Sequence, residues 1–127
     1  MATKSVLIVD DDPVIIKVLC KFIKDLNLVP IVAQSGQEAW DLMNQNSAEK
    51  VGEICAIVSD IIMPDGEGLS LLENIRGHER YGDLPVILMS TSDDPLFRSD
   101  AERFGAFAFL IKPITFEQFK ATFSRLK

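Results

Sequence analysis

Five short apolar runs set the rhythm of this chain: VLIV at 6–9, LVPIVA at 28–33, ICAIV at 54–58, LPVILM at 84–89 and FAFLI at 107–111. In most of them the apolar residues are continuous and rich in β-branched types, not alternated with polar ones. A strand of that kind is buried on both faces, as in a parallel sheet covered on each side. Stretches with helical periodicity lie between the runs, so the chain reads as strand then helix, five times over. That alternation predicts an α/β fold, doubly wound, with right-handed crossovers and helices on both faces of a five-stranded parallel sheet. Pro30 has no N–H to give to a ladder, so the second strand belongs at an edge. An edge position there agrees with the flavodoxin-like (βα)5 three-layer sandwich of strand order 2-1-3-4-5.

Local chemistry marks the helices. Asp12-Pro13 supplies an N-cap and a first helical residue. Val14, Val18, Phe22 and Leu26, with Ile15 and Leu19 beside them, are expected to form the apolar face of the first helix. Lys17, Lys21 and Lys24 fall on its solvated side, and Asn27 ends it. Ser35 to Glu38 opens a second helix carrying Ala39, Trp40 and Leu42. Residues 44–53 are polar and weakly patterned, the end of that helix plus a loop. The segment IIMPDGEG at 61–68 reads as a loop with turn residue Asp65. The next helix has Leu69, Leu72 and Ile75 on one face, with His78 and Tyr81 in a polar exit. Asp93 and Asp94 read as turn and cap residues before a short helix at 95–104, which Gly105 stops. Thr115 and Gln118 form a capping box for the last helix, whose Phe116, Phe119 and Phe123 face the core.

The 127 residues suffice for one domain, 1–127, with no output domain expected after it. The chain carries 19 acids against 13 Lys and Arg, a net charge of −6. That balance argues against nucleic-acid binding, which wants a basic footprint. No apolar run approaches the roughly 20 residues of a membrane span, and no signal peptide is legible at the start. Cys20 and Cys55 lack metal-ligand spacing and read as small buried hydrophobes in a reducing compartment, so the expected location is cytoplasmic.

Asp10, Asp11 and Asp12 follow the first strand directly. Carboxylates a few ångströms apart repel unless splayed into water or joined by a cation. In an open parallel sheet, ligands sit beyond the carboxyl ends of the strands. The first strand ends in Asp10 and Asp11, the third in Asp60, the fourth in Ser90 and the fifth in Lys112. The predicted fold therefore gathers three carboxylates, one hydroxyl and one ammonium on one rim. Clustered hard oxygen donors suit a divalent cation such as Mg²⁺. An ionised Asp60 could then attack phosphorus to give an acyl phosphate, with Lys112 and the metal stabilising the transferred group and Ser90 donating to one of its oxygens.

The segments VLIVDDDP, VSDIIMPDGEG, PVILMST and FLIKP, in this order and spacing, resemble the motifs of response-regulator receiver domains of two-component signalling, the CheY-like superfamily, over essentially the whole chain. The resemblance implies Asp60 as phosphoacceptor. It implies Asp11 and Asp60 as direct ligands of Mg²⁺ (or Mn²⁺), Asp10 acting mainly through water, and the Ile62 backbone carbonyl as a further ligand. Ser90 and Lys112 would contact the phosphoryl group, and Phe109 would be the switch aromatic. The implied donor is a phosphohistidine on a sensor histidine kinase or phosphotransfer protein. The implied output is a downstream protein or a second copy, bound through the fourth helix, fifth strand and fifth helix. Catalysis would extend only to the domain's own phosphorylation and dephosphorylation. Thr91 after Ser90 is bulkier than usual, and Ile62 cannot position an attacking water; both suggest slow hydrolysis. Phe107 and Phe109 are expected to share an apolar partner surface.

Two other readings compete. Asp10-x-Asp12 after a strand also resembles the nucleophile and acid/base pair of haloacid dehalogenase phosphohydrolases. That class wants a later acidic metal motif, where only Glu117 follows, and leaves Asp60 without a role. A degenerate receiver acting as a scaffold is disfavoured by the complete set of Asp10, Asp11, Asp60, Ser90 and Lys112.

Overall fold

Strands β1 (Lys4–Val9), β2 (Val29–Ala33), β3 (Glu53–Asp60), β4 (Val86–Ser90) and β5 (Ala108–Ile111) form one parallel sheet in the order β2-β1-β3-β4-β5 in the computed structural model of the chain. The structure describes residues 4–44, 53–63, 66–78, 82–91 and 95–126. Helices α1 (Pro13–Asp25), α2 (Gly36–Asn44), α3 (Gly68–Arg76), α4 (Pro95–Arg103) and α5 (Phe116–Ser124) cover the sheet on both sides. The expected edge position of β2 holds: Pro30 pairs with Val6 of β1, and among the described residues no strand lies beyond it.

The continuous apolar runs divide between two cores. Leu7, Val9, Ile57 and Leu88 face α2, α3 and α4, packing with Met43, Leu72 and Ile75. Val6, Ile8, Val58, Ile87 and Met89 face α1 and α5, packing with Leu19, Ile23 and Phe119. Burial on both faces at successive positions is why these strands show no polar alternation. The α5 phenylalanines bind that helix to α1: Phe119 stacks on Phe123 at 4.5 Å, and Phe22 lies 5.4 Å from Phe116 and 5.6 Å from Phe119.

The apolar face of α1 is not the one that four-residue spacing suggests. Leu19 and Ile23 are buried, flanked by Ile15, Ile16, Phe22 and Leu26, whereas Val14 is 67% and Val18 39% exposed. At 3.6 residues per turn an i+4 series drifts by roughly 40° per step, so Val14 and Leu26 cannot share one face. Segment 61–68 also differs from a plain loop: Ile62–Met63 pairs antiparallel with Gly66–Glu67 as a short ribbon. Residues 45–52, Pro64, Asp65, Tyr81, Asp93 and Asp94 lie outside the described residues, and with them most of the 44–53 loop.

Two helices close with left-handed residues. Asn27 has φ 64°; its N–H donates to the Lys24 carbonyl, and Leu28 N–H to that of Ile23. Gly105, at φ +85°, repeats the pattern with Glu102, while Ala106 N–H reaches Ala101. Both are paired-bond closures that favour Asn or Gly at the turning position. Arg76 stitches the same end of the sheet. Its guanidinium donates to the carbonyls of Gly82 (3.2 Å), Leu84 (2.8 Å) and Gly105 (2.6 Å), joining the segments that enter β4 and β5.

Candidate functional site

The three consecutive acids take three different roles. Asp10 N–H donates to the Ala33 carbonyl at 3.1 Å, carrying the β1–β2 ladder one residue past the strand and leaving the side chain fully buried. Its Oδ1 accepts the Asp12 N–H at 2.9 Å. Asp12 turns away and caps α1, accepting from Val14 N–H at 2.9 Å, as a residue before Pro13 should. Asp11 is exposed between them.

Asp60 ends β3 opposite Met89 of β4. Carboxylate oxygens of Asp10, Asp11 and Asp60 all lie within 4.8 Å of one another. Lys112 follows β5, its N–H donating to the Ser90 carbonyl at 2.8 Å, and the peptide to Pro113 is cis. Its ammonium donates to Asp10 Oδ2 and to Asp60 Oδ2, each at 3.0 Å. The Lys112 side chain is only 9% exposed, that of Asp60 17% and that of Asp10 0%. Burial works against the charged ammonium, but the hydrogen bonds and Coulombic attraction of Asp10 and Asp60 outweigh it and hold Lys112 above its ordinary lysine value.

Ser90 ends β4, buried, and pairs with Ile111 of β5; it therefore sits between the strands that carry Asp60 and Lys112. Thr91 beside it is exposed. Ile62 lies two residues past Asp60 in the short ribbon. Asp10, Asp11, Asp60 and Lys112 thus converge as the sequence predicts, with Ser90 on the adjoining strand. Asp12 is excluded from the cluster, which removes the acid/base partner that a dehalogenase-type reading needs.

Phe109 pairs with Leu88 in β5 and packs, half-buried, toward α2–α4, with the Arg98 guanidinium 4.9 Å above its ring. Phe107 packs against the α1–α5 core, under Arg125 at 5.1 Å. The two rings therefore lie on opposite sides of the sheet and form no common surface. Phe107 precedes the strand proper, so the two-residue alternation does not extend to it. Arg98 has no signal in the sequence, because only the packing of α4 on β5 brings it over Phe109.

Comparison with known proteins matches residues 6–124 to the family described as "Response regulator receiver domain". The chain is 33% identical over 115 residues to the two-component response regulator ARR12 of Arabidopsis thaliana, covering 91% of this chain but 18% of that protein. It is 29% identical over 112 residues to a chemotaxis protein CheY homolog of Campylobacter jejuni, covering 87% of this chain and 82% of the homolog. Against the first two relatives it matches, the chain spans less than a fifth of their length. The solved structure of Vibrio cholerae chemotaxis protein CheY4 superposes with a TM-score of 0.85 at 26% identity, covering 99% of this chain and all of that one.

Proposed function

The chain belongs to the response regulator receiver domain family of two-component signalling, and from that premise we propose that Asp60 accepts a phosphoryl group in a Mg²⁺-dependent reaction. The observation that carries this reading is the Lys112 ammonium held at 3.0 Å from both Asp10 and Asp60 on the carboxyl rim of the sheet. Members of this family are receivers and not enzymes with an external small-molecule product. They bind Mg²⁺ at an acidic cluster, and the donor set here fits: three aspartates offer only hard oxygens, close enough together to share one ion.

In the proposed reaction an Asp60 carboxylate oxygen forms a bond to phosphorus. The P–N bond of a phosphohistidine breaks, and the imidazole leaves with the electron pair and takes up a proton. The donor would be a sensor histidine kinase or phosphotransfer protein. Lys112, its charge secured by the two acids, keeps an ammonium beside the transferred oxygens, and the Ser90 hydroxyl donates to one of them. Asp10, Asp11, Asp60 and the Ile62 carbonyl would hold Mg²⁺ (or Mn²⁺), which when bound neutralises charge on the phosphoryl oxygens. Residues 1–127 act in this reading as one cytoplasmic receiver domain. Its α4–β5–α5 surface, with Phe109 as switch, meets a downstream protein or a second copy and takes no direct part in nucleic-acid or membrane binding. Among the described residues no helix is long and apolar enough to cross a membrane.

The test is intact mass after incubation with acetyl phosphate and Mg²⁺. One phosphoryl adduct is expected on the wild type, none without Mg²⁺ and none on Asp60→Asn. An adduct that persists on Asp60→Asn would place the nucleophile elsewhere.

A further inference from the structure

A second cleft opens at the opposite pole, where the strands begin. Its volume is about 920 Å³, and Leu26, Leu28, Phe107 and Phe123 line it together with Cys55 and Pro85. That is the size and character of a small-ligand site, apolar walls with a few polar groups at the margin. The polar groups are unusually one-sided. Among the described residues, Lys4, Lys120 and Arg125 line the cleft against Asp83, in a chain whose net charge is −6. All three cations are exposed, so their charges stand at the mouth of the cleft. The Arg125 guanidinium lies 5.1 Å over the Phe107 ring, a cation held on an apolar wall of the site. An apolar interior with a cationic margin is complementary to one kind of molecule, an apolar body with an anionic head.

We propose that this cleft binds small anionic amphiphiles, an alkyl chain bearing a carboxylate, with the chain among Leu26, Leu28, Phe107 and Phe123 and the head between Lys4, Lys120 and Arg125. The site lies at the far end of the sheet from Asp60 and is independent of the phosphoacceptor reading.

The test is titration of the full chain with dodecanoate below its micelle concentration, followed by amide chemical shifts and calorimetry. Saturable binding of one molecule is expected, with the largest shifts at Leu28, Phe107 and Leu126. Dodecyltrimethylammonium, equal in chain length and opposite in charge, should bind at least about tenfold more weakly. The double variant Lys120→Glu/Arg125→Glu changes only exposed side chains, and unchanged circular dichroism will show that it folds. It should weaken dodecanoate by about tenfold, as two surface attractions become repulsions. Asp60→Asn should bind dodecanoate as the wild type does. Equal affinity for both head charges, an unmoved affinity in the double variant, shifts centred elsewhere, or no saturable binding would each overturn the proposal.

Discussion

Lys112 neutralises two carboxylates that reach it from 102 and 52 residues away in the chain. Removing it leaves Asp10 buried and without its counter-charge. Lys112→Met should therefore destabilise the metal-free protein by about 3 kcal/mol in urea denaturation, the usual cost of breaking a buried pair from one side. Asp10→Asn in the same background should recover part of that loss. The pH dependence follows from the raised lysine value. A group whose folded pKa lies above its unfolded one contributes fully below the unfolded value, here 10.5, and loses that contribution as pH rises through the folded value. The difference between wild type and Lys112→Met should thus stay flat from neutral pH to about pH 9 and shrink only beyond 10.5, as pH-dependent denaturation midpoints will show. Asp10, Asp11, Asp60 and Lys112 were legible because each is a polar group placed where an apolar strand ends, and fold class alone brings such ends together. The separate fates of Asp10, Asp11 and Asp12 were legible only for Asp12, whose following proline marks a cap. Arg98 and Arg125 were not legible, since each meets its ring only through packing between separate elements.

At the scale of elements, the boundaries that carry local chemistry read correctly. Asn27, Gly105 and the Thr115–Gln118 box terminate or start helices through bonds within a few residues, so their signals are local. The Arg76 stitch is the opposite case: its three acceptors are fixed by the arrangement of α3, β4 and β5. Burial lowers the pKa of this guanidinium and Asp83 opposes the shift, but arginine remains charged throughout the ordinary range. A Cβ at Gly105 would lie 3.1 Å from Arg76 Nε, on a backbone already at φ +85°. Gly105→Ala should cost about 1–2 kcal/mol for the left-handed backbone alone. Arg76→Met should cost about 2 kcal/mol through its lost carbonyl bonds. The double variant should cost less than the sum, because the close approach vanishes with the arginine; a double-mutant cycle in urea measures that coupling. The misplacement of Val14 and Val18 on α1 has a plain geometric origin, since a strict four-residue series spirals away from the sheet.

At the scale of the molecule, the alternation of elements pointed to a parallel sheet, and an edge position for the proline-bearing second strand agreed with the order 2-1-3-4-5 of the flavodoxin-like class. The proposed ion site joins the ends of β1 and β3, so Mg²⁺ should bind the native state and not the unfolded chain. Free Mg²⁺ at tenfold its Kd should then stabilise the whole domain by about 1.4 kcal/mol. Asp11→Asn should abolish this gain while leaving the metal-free protein folded, as thermal melts with and without Mg²⁺ will show. The same architecture has a mechanical consequence for β5. This four-residue strand is anchored at its start, where Arg76 grips the Gly105 carbonyl, and at its finish, where Lys112 is tethered to Asp10 and Asp60. It is a short beam clamped at both ends. Phe109 stands between the two clamps, beneath the Arg98 guanidinium.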